Sequence, residues 1–142
     1  MNSKGESVRT GYRVLYGDVD TMGVVYYGNY FRLFEQGRAE FMRDRGVTYK
    51  EFEDQGVMMP VTEAYCHYHK PAYYDDLLLI ETRIGRIKRA SVLFDYEIFR
   101  EAQSRERLIT GHTLHACLSP EGRVIRLPEF LAQVLNGQGR TI

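Results

Sequence analysis

The sequence lacks most of the features that assign a protein quickly. Neither sign of charge is in excess: 19 Lys plus Arg balance 19 Asp plus Glu over 142 residues, so the formal net charge is zero. That argues against a strongly basic nucleic-acid binder. It also leaves little colloidal repulsion to oppose self-association. There are only two cysteines, Cys66 and Cys117, with no C-x-x-C spacing for a metal. This usage reads as a reduced, cytoplasmic chain in which both thiols act as small hydrophobes. The start, "MNSKGES", has no apolar h-region, and the longest aliphatic run, "LLLI" at 77–80, is far too short for a membrane span. No G-x-S-x-G is present, which excludes an α/β-hydrolase. No repeat, low-complexity tract or Pro/Gly/Ser linker divides the chain, so 1–142 is read as one domain with 1–6 as a frayed end.

What is present is a strand, a long helix, and then a series of strands. "SVRTGYRVLY" (7–16) alternates, with Val8, Thr10, Tyr12, Val14 and Tyr16 on one side. In "NYFRLFEQGRAEFMRDRG", Tyr30, Phe34, Gly37 and Phe41 recur at helical steps. A helix is expected over 29–45, with Asn29 as N-cap and Gly46 as its stop. Gly37 costs the helix ~1 kcal/mol relative to alanine. Its expected use is close approach of a sheet. A short helix or turn is read at 48–56. "MMPVTEAYCHYHK", "DLLLIETRIGRI", "ASVLFDYEIFR" and "ERLITGHTLHACLS" are β-rich. Their short joints, "PAYYDD" among them, predict an antiparallel meander of hairpins. "RVIRL" is expected to close the sheet. "PEFLAQVLNG" is expected to end the chain as a short helix. One helix wrapped by one curved antiparallel sheet is an α+β hot-dog architecture. The competing ferredoxin-like sandwich needs a second long helix between 58 and 127, and none is evident.

The stretch "YGDVDTMGVVYYGNY" (16–30) carries the chemistry. Asp18 and Asp20 stand two residues apart at the end of a strand. Positions i and i+2 share a face, so periodicity does not choose between them. The following helix start offers free N–H groups and a partial positive charge, suited to polarising a carbonyl. A nearby carboxylate can attack an acyl carbon or activate water. Asp-x-Asp before a helix is also a common turn or cap.

The full pattern resembles the signature of the hot-dog acyl-CoA thioesterases, in the branch named for 4-hydroxybenzoyl-CoA thioesterase. The matching residues are Asp18, Asp20, Gly23, Val25, Tyr26, Tyr27 and Tyr30. "KPAYYDDLLLIET" and "RASVLFDYEIFR" resemble later strands of the same family. The resemblance implies that Asp20 is the catalytic carboxylate, as nucleophile or general base. It also implies that the Tyr27 backbone N–H is the oxyanion donor, with Tyr26 and Tyr30 shaping the acyl pocket. A related branch has histidine where this chain has Tyr27, but a backbone N–H survives either residue. Val19 and Thr21 depart from the usual neighbours of the catalytic aspartate. The basic hairpin "RIKRAS" (86–91) maps onto the family's contact with the nucleotide end of coenzyme A, at Lys88, Arg89 and Ser91. An ordinary solvated hairpin has the same composition. No cofactor is implied beyond the coenzyme A of the substrate. A homotetramer is implied, with a dimer as the minimum.

The remaining candidates are weaker. His67 and His69 share a strand face, but no third metal ligand is apparent. His112 and His115 fall on opposite faces, without a serine or cysteine partner. Rival functions are a hydratase on the same fold, a non-catalytic acyl-CoA-binding module, and an acyl-carrier-protein thioesterase. The hydratase needs a His/Asp or His/Glu motif that is not found here.

Overall fold

The computed structural model describes residues 6–101 and 105–138. The end expected to fray lies almost wholly outside them. Strand β1 (Val8–Arg13) alternates as expected: Val8, Thr10 and Tyr12 turn inward, and Arg9, Gly11 and Arg13 face out. The strand is shorter than its pattern. Val14 is still buried, but Leu15 begins a single 3-10 turn over Tyr16–Asp18 that throws Tyr16 out to 79% exposure.

Helix α1 (Asn29–Asp44) buries Tyr30, Leu33, Phe34, Gly37, Phe41 and Met42. Its N-cap is Gly28, which has no capping side chain, so Asn29 is the first helical residue and not the cap. The Asn29 amide instead donates to the main-chain oxygen of Asp18 at 2.9 Å. Gly46, at φ +83°, stops the helix in the left-handed conformation that glycine adopts without penalty. Helix α2 (Tyr49–Asp54) is capped by Thr48, whose hydroxyl accepts from the Glu51 N–H.

Strands β2 (Val61–Tyr68), β3 (Leu77–Lys88), β4 (Ser91–Arg100) and β5 (Glu106–Ala116) join β1 in one antiparallel sheet of order β1-β3-β4-β5-β2. β3, β4 and β5 form the expected meander. "PAYYDD" does not make a hairpin: β2 pairs with β5 at one edge, and the segment after it crosses to β3 on the other side. An arginine holds that crossing in place. Arg100, at the end of β4, donates to the Asp76 carboxylate at 3.0 Å and to the Pro71 carbonyl at 2.6 Å. "RVIRL" is not a strand. It is a strap whose Ile125 and Leu127 N–H groups donate to the carbonyls of Cys117 and Arg89. It leads through Pro128 into α3 (Glu129–Gln133).

α1 lies across the concave face of the sheet. Phe34 stacks on Tyr96 at 4.3 Å, and Phe41 meets Phe94 edge-on at 5.9 Å. Each such fully buried side chain contributes about 1.5–3 kcal/mol from burial. Gly37 sits where helix and sheet come closest. A Cβ there would fall 2.5 Å from Thr82 Oγ1 and 2.7 Å from Ile80 Cγ2.

A chain of hydrogen bonds crosses this core. The Met59 carbonyl only accepts, so His115 Nδ1 carries the proton that reaches it at 2.9 Å. His115 Nε2 therefore accepts from Thr113 Oγ1 at 2.8 Å, Thr113 accepts from Tyr96 at 2.7 Å, and Tyr96 accepts from Arg38 Nη1 at 3.0 Å. Burial, and after it the nearby Arg38 charge, drives the His115 imidazole down from 6.5 to about 4, a shift that its hydrogen bond to Met59 only partly opposes. At 2% exposure it is neutral at pH 7.

Two outcomes follow from this packing. Gly37→Ala gains ~1 kcal/mol of helix propensity but overpacks the seam between α1 and β3. The net loss should be roughly 1–2 kcal/mol, read by urea denaturation. His115 has its folded-state value below its unfolded one. Its stability contribution is complete above pH 6.5 and is lost as pH falls towards 4. The gap in unfolding free energy between wild type and His115→Gln should narrow by about 3 kcal/mol between pH 7 and pH 4.

Candidate active site

The two aspartates of the 16–30 stretch have opposite surroundings. Asp18 ends the 3-10 turn and is buried at 6% exposure. Its Oδ2 accepts from the Tyr12 hydroxyl at 2.6 Å and from the Leu15 N–H at 2.7 Å. Its Oδ1 pairs with Arg32 of α1 at 2.7 Å. Its main-chain oxygen accepts from the Tyr26 N–H and the Asn29 amide, both at 2.9 Å. Every acceptor of Asp18 is thus committed to joining β1, the turn and the start of α1.

Asp20 follows after one residue and is only half-buried. Its N–H donates to the Val24 carbonyl, and its carbonyl accepts from Gly23, which lies at φ +82°. This tight turn aims the side chain outward. Oδ1 accepts from the Met22 N–H at 2.8 Å, and Oδ2 meets no protein donor among the described residues. The carboxylate lines an open cleft of about 620 Å³ with Tyr16, Val19, Thr21, Gly23 and Tyr74. Tyr16 and Tyr74 meet edge-on at 5.9 Å.

The start of α1 lies beside this turn. The N–H groups of Val25, Tyr26 and Asn29 donate to Ala72, Asp18 and Tyr26. The Tyr27 N–H finds no acceptor among the described residues. The Tyr27 carbonyl accepts from the Tyr68 hydroxyl at 3.0 Å, which anchors the helix start to the end of β2. Tyr27 also lines a cavity of about 270 Å³ with Val24, Tyr30, Tyr68, Lys70 and Pro71. Tyr26 is exposed and lies against Tyr27, with ring centroids 4.7 Å apart. Tyr30 is buried, and burial pushes its phenol up to about 12. It forms the floor of that cavity.

Asp20 and the start of α1 are joined through the turn, where the Asp20 N–H donates to the Val24 carbonyl. Asp20 lines one cleft, whereas Tyr27 and Tyr30 line the neighbouring cavity, and Tyr26 lies on the surface beside Tyr27. Lys88, Arg89 and Ser91 lie elsewhere. Exposed Lys88 ends β3, exposed Arg89 is in the turn and half-buried Ser91 begins β4, so the hairpin starts eleven residue steps along β3 from Leu77. That is about 36 Å of strand at 3.3 Å per residue. A single chain does not place this hairpin beside Asp20.

The other candidates have settled surroundings. The His67 and His69 rings lie 4.2 Å apart, and His69 meets Thr110 at 2.9 Å. No group of three or more His, Cys, Asp or Glu among the described residues is placed to hold a metal. His112 meets Glu63 at 2.8 Å on the outer face, whereas His115 points into the core. Cys117 is buried and Cys66 half-buried, and desolvation raises both thiols. That is the opposite of what a nucleophile needs. Among the described residues no helix is long and apolar enough to cross a membrane.

Sequence reasoning missed Tyr12, Arg32, Tyr68 and Tyr74. The alternation of β1 already turned Tyr12 inward, and that was a usable signal. Nothing local marks Arg32 as the partner of an aspartate fourteen residues earlier.

Comparison with known proteins bears on the family and the fold. The chain matches the Thioesterase-like superfamily over residues 14–135. It is 30% identical over 108 residues to the acyl-CoA thioester hydrolase YbgC of Escherichia coli O157:H7, covering 76% of this chain and 79% of that protein. It superposes on the DHNA-CoA thioesterase of Staphylococcus aureus with a TM-score of 0.82 at 29% identity, over 96% of this chain and 97% of that one. The 4-hydroxybenzoyl CoA thioesterase of Pseudomonas sp. strain CBS-3 shares the fold, with a TM-score of 0.81 at 21% identity over 90% and 98% of the two chains.

Proposed function

The chain belongs to the thioesterase-like superfamily, and on that premise we propose that it is an acyl-CoA thioesterase working through Asp20 and the start of α1. The division of labour between the two aspartates carries this reading. Asp18 is consumed by structure, while Asp20 keeps one oxygen free in an open cleft. The thioester carbonyl oxygen sits at the Tyr27 N–H, where the helix dipole adds to the hydrogen bond. Asp20 then serves in one of two ways. As nucleophile it bonds to the acyl carbon as the C–S bond breaks, giving a mixed anhydride and the coenzyme A thiolate, and water hydrolyses the anhydride. As general base it takes a proton from water, whose oxygen attacks the same carbon, and the C–S bond then breaks to release the coenzyme A thiolate and the free acid. Tyr26 and Tyr30 shape the acyl side. The chemistry calls on no metal or prosthetic group.

The site of one chain is incomplete under this reading. β2 is an eight-residue edge strand, exposed along nearly its whole length. An edge of that kind is a template for pairing with another chain. A homodimer joined there, and a tetramer built from such dimers, bring basic hairpins of other copies within reach of coenzyme A. Lys88, Arg89 and Ser91 then hold the nucleotide end from a neighbouring subunit.

The test is thiol release from a panel of short, long and aromatic acyl-CoAs. Asp20→Asn keeps the size of the side chain and removes its charge. It should cost at least about a hundredfold in kcat on the class that the wild type hydrolyses. If neither protein releases thiol while CoA esters still bind, an acyl-CoA-binding module replaces the thioesterase. Lys88→Ala with Arg89→Ala should raise KM for acyl-CoA about tenfold with little change in kcat, the signature of lost uniform binding. An unchanged KM would point to an acyl-carrier-protein substrate.

A further inference from the structure

Two cavities, of about 310 and about 380 Å³, meet beneath the β2 edge, where the proposed homodimer joins, and share Glu35, Arg38 and Val61, so in that dimer the groove lies along the joint between the two copies. Together they form a groove between β2 and α1. Phe31, Glu35, Arg38 and Met42 line it at steps of four, three and four, so they make one stripe along the helix. The groove runs beside the helix that starts at the candidate site. Arg38 is its unusual member. The side chain is half-buried and forms no ion pair among the described residues, although Glu35 lies one turn away on the same stripe. One N–H of its guanidinium is committed to Tyr96. That bond belongs to the fixed chain through Thr113 and His115 to the Met59 carbonyl, so the head group is held in place from behind. Four of its five donors remain. A fixed, partly desolvated guanidinium with a free fork matches a carboxylate.

We propose that Arg38 is a specificity-determining residue that binds a carboxylate at the far end of the acyl group, which lies in the α1–β2 groove. The proposal rests on the thioesterase reading above. Arg38 lies nine residue steps along α1 from Asn29, about 13.5 Å at 1.5 Å per residue, and helical side chains lean back towards the N-terminus. An acyl group spanning the groove is thus on the order of 10 Å long. Glu35 at the same groove opposes an incoming anion, so the pocket admits a carboxylate only because the guanidinium fork outweighs it.

The experiment compares kcat/KM for suberyl-CoA and octanoyl-CoA, which match in length and differ in the terminal carboxylate. The ratio is the readout, because octanoyl-CoA has nothing to offer the guanidinium. The wild type should favour suberyl-CoA at least tenfold. Arg38→Gln should bring the ratio to about one, and Arg38→Lys should restore part of it. Glu35→Gln should raise it. Thermal melting of each variant checks that it is folded, and a ratio taken within one variant is insensitive to the fraction folded. A wild-type ratio near one, or a ratio that Arg38→Gln leaves intact, overturns the proposal and leaves the thioesterase standing. Failure of the wild type to release thiol from any CoA ester overturns both.

Discussion

The buried carboxylate of Asp18 is the constraint on which the candidate site depends. A charge taken out of water must be matched by donors with good geometry, or the fold loses several kcal/mol. Here a phenol, a backbone N–H and a guanidinium supply them. Each donor comes from a different piece of chain: Tyr12 from β1, Leu15 from the turn, Arg32 from α1. Satisfying one acid therefore fixes the strand, the turn and the helix relative to one another. The Asp18 main-chain oxygen extends the same tie to Tyr26 and Asn29. Asp20 Oδ2 and the Tyr27 N–H are among the groups that these bonds leave without a protein partner among the described residues.

The helix that bears this site is placed by shape as much as by polarity. Gly37 lets α1 approach β3 so closely that not even a methyl group fits between them. Gly111 makes similar room on β5, where a Cβ would strike the Tyr65 carbonyl and the Phe34 ring. With the helix seated this deep, Phe34 reaches Tyr96 and stacks flat on it. The flanking stripe of α1, from Phe31 to Met42, is left facing β2, and the groove opens between them.

The chain from Arg38 to the Met59 carbonyl joins that groove to the core. Every bond in it has one sensible direction, set at one end by a guanidinium that only donates and at the other by a carbonyl that only accepts. A neutral imidazole suits this chain, and burial keeps His115 neutral. Such a network favours one arrangement over others, because each member left unpaired carries a desolvation cost.

The amino-acid sequence by itself determined the elements that depend on local periodicity. β1, the helix with its Tyr30–Phe34–Gly37–Phe41 face, and the β3–β4–β5 meander were legible because side-chain spacing encodes them directly. The Asp-x-Asp motif before the helix was legible too, whereas favouring Asp20 as its acid rested on resemblance and not on spacing. Positions i and i+2 are equivalent in an extended chain. They ceased to be equivalent only when a 3-10 turn sent Asp18 inward to Tyr12 and Arg32, partners that are distant or silent in sequence. Tertiary structure alone sent β2 to the far edge of the sheet, because "PAYYDD" reads as a hairpin joint until Arg100 is seen holding it as a crossing. It alone put Lys88 and Arg89 a full strand length from Asp20. It also set Arg38 in a groove with no counter-ion among the described residues, since pairing between distant segments is governed by what the rest of the fold leaves unsatisfied.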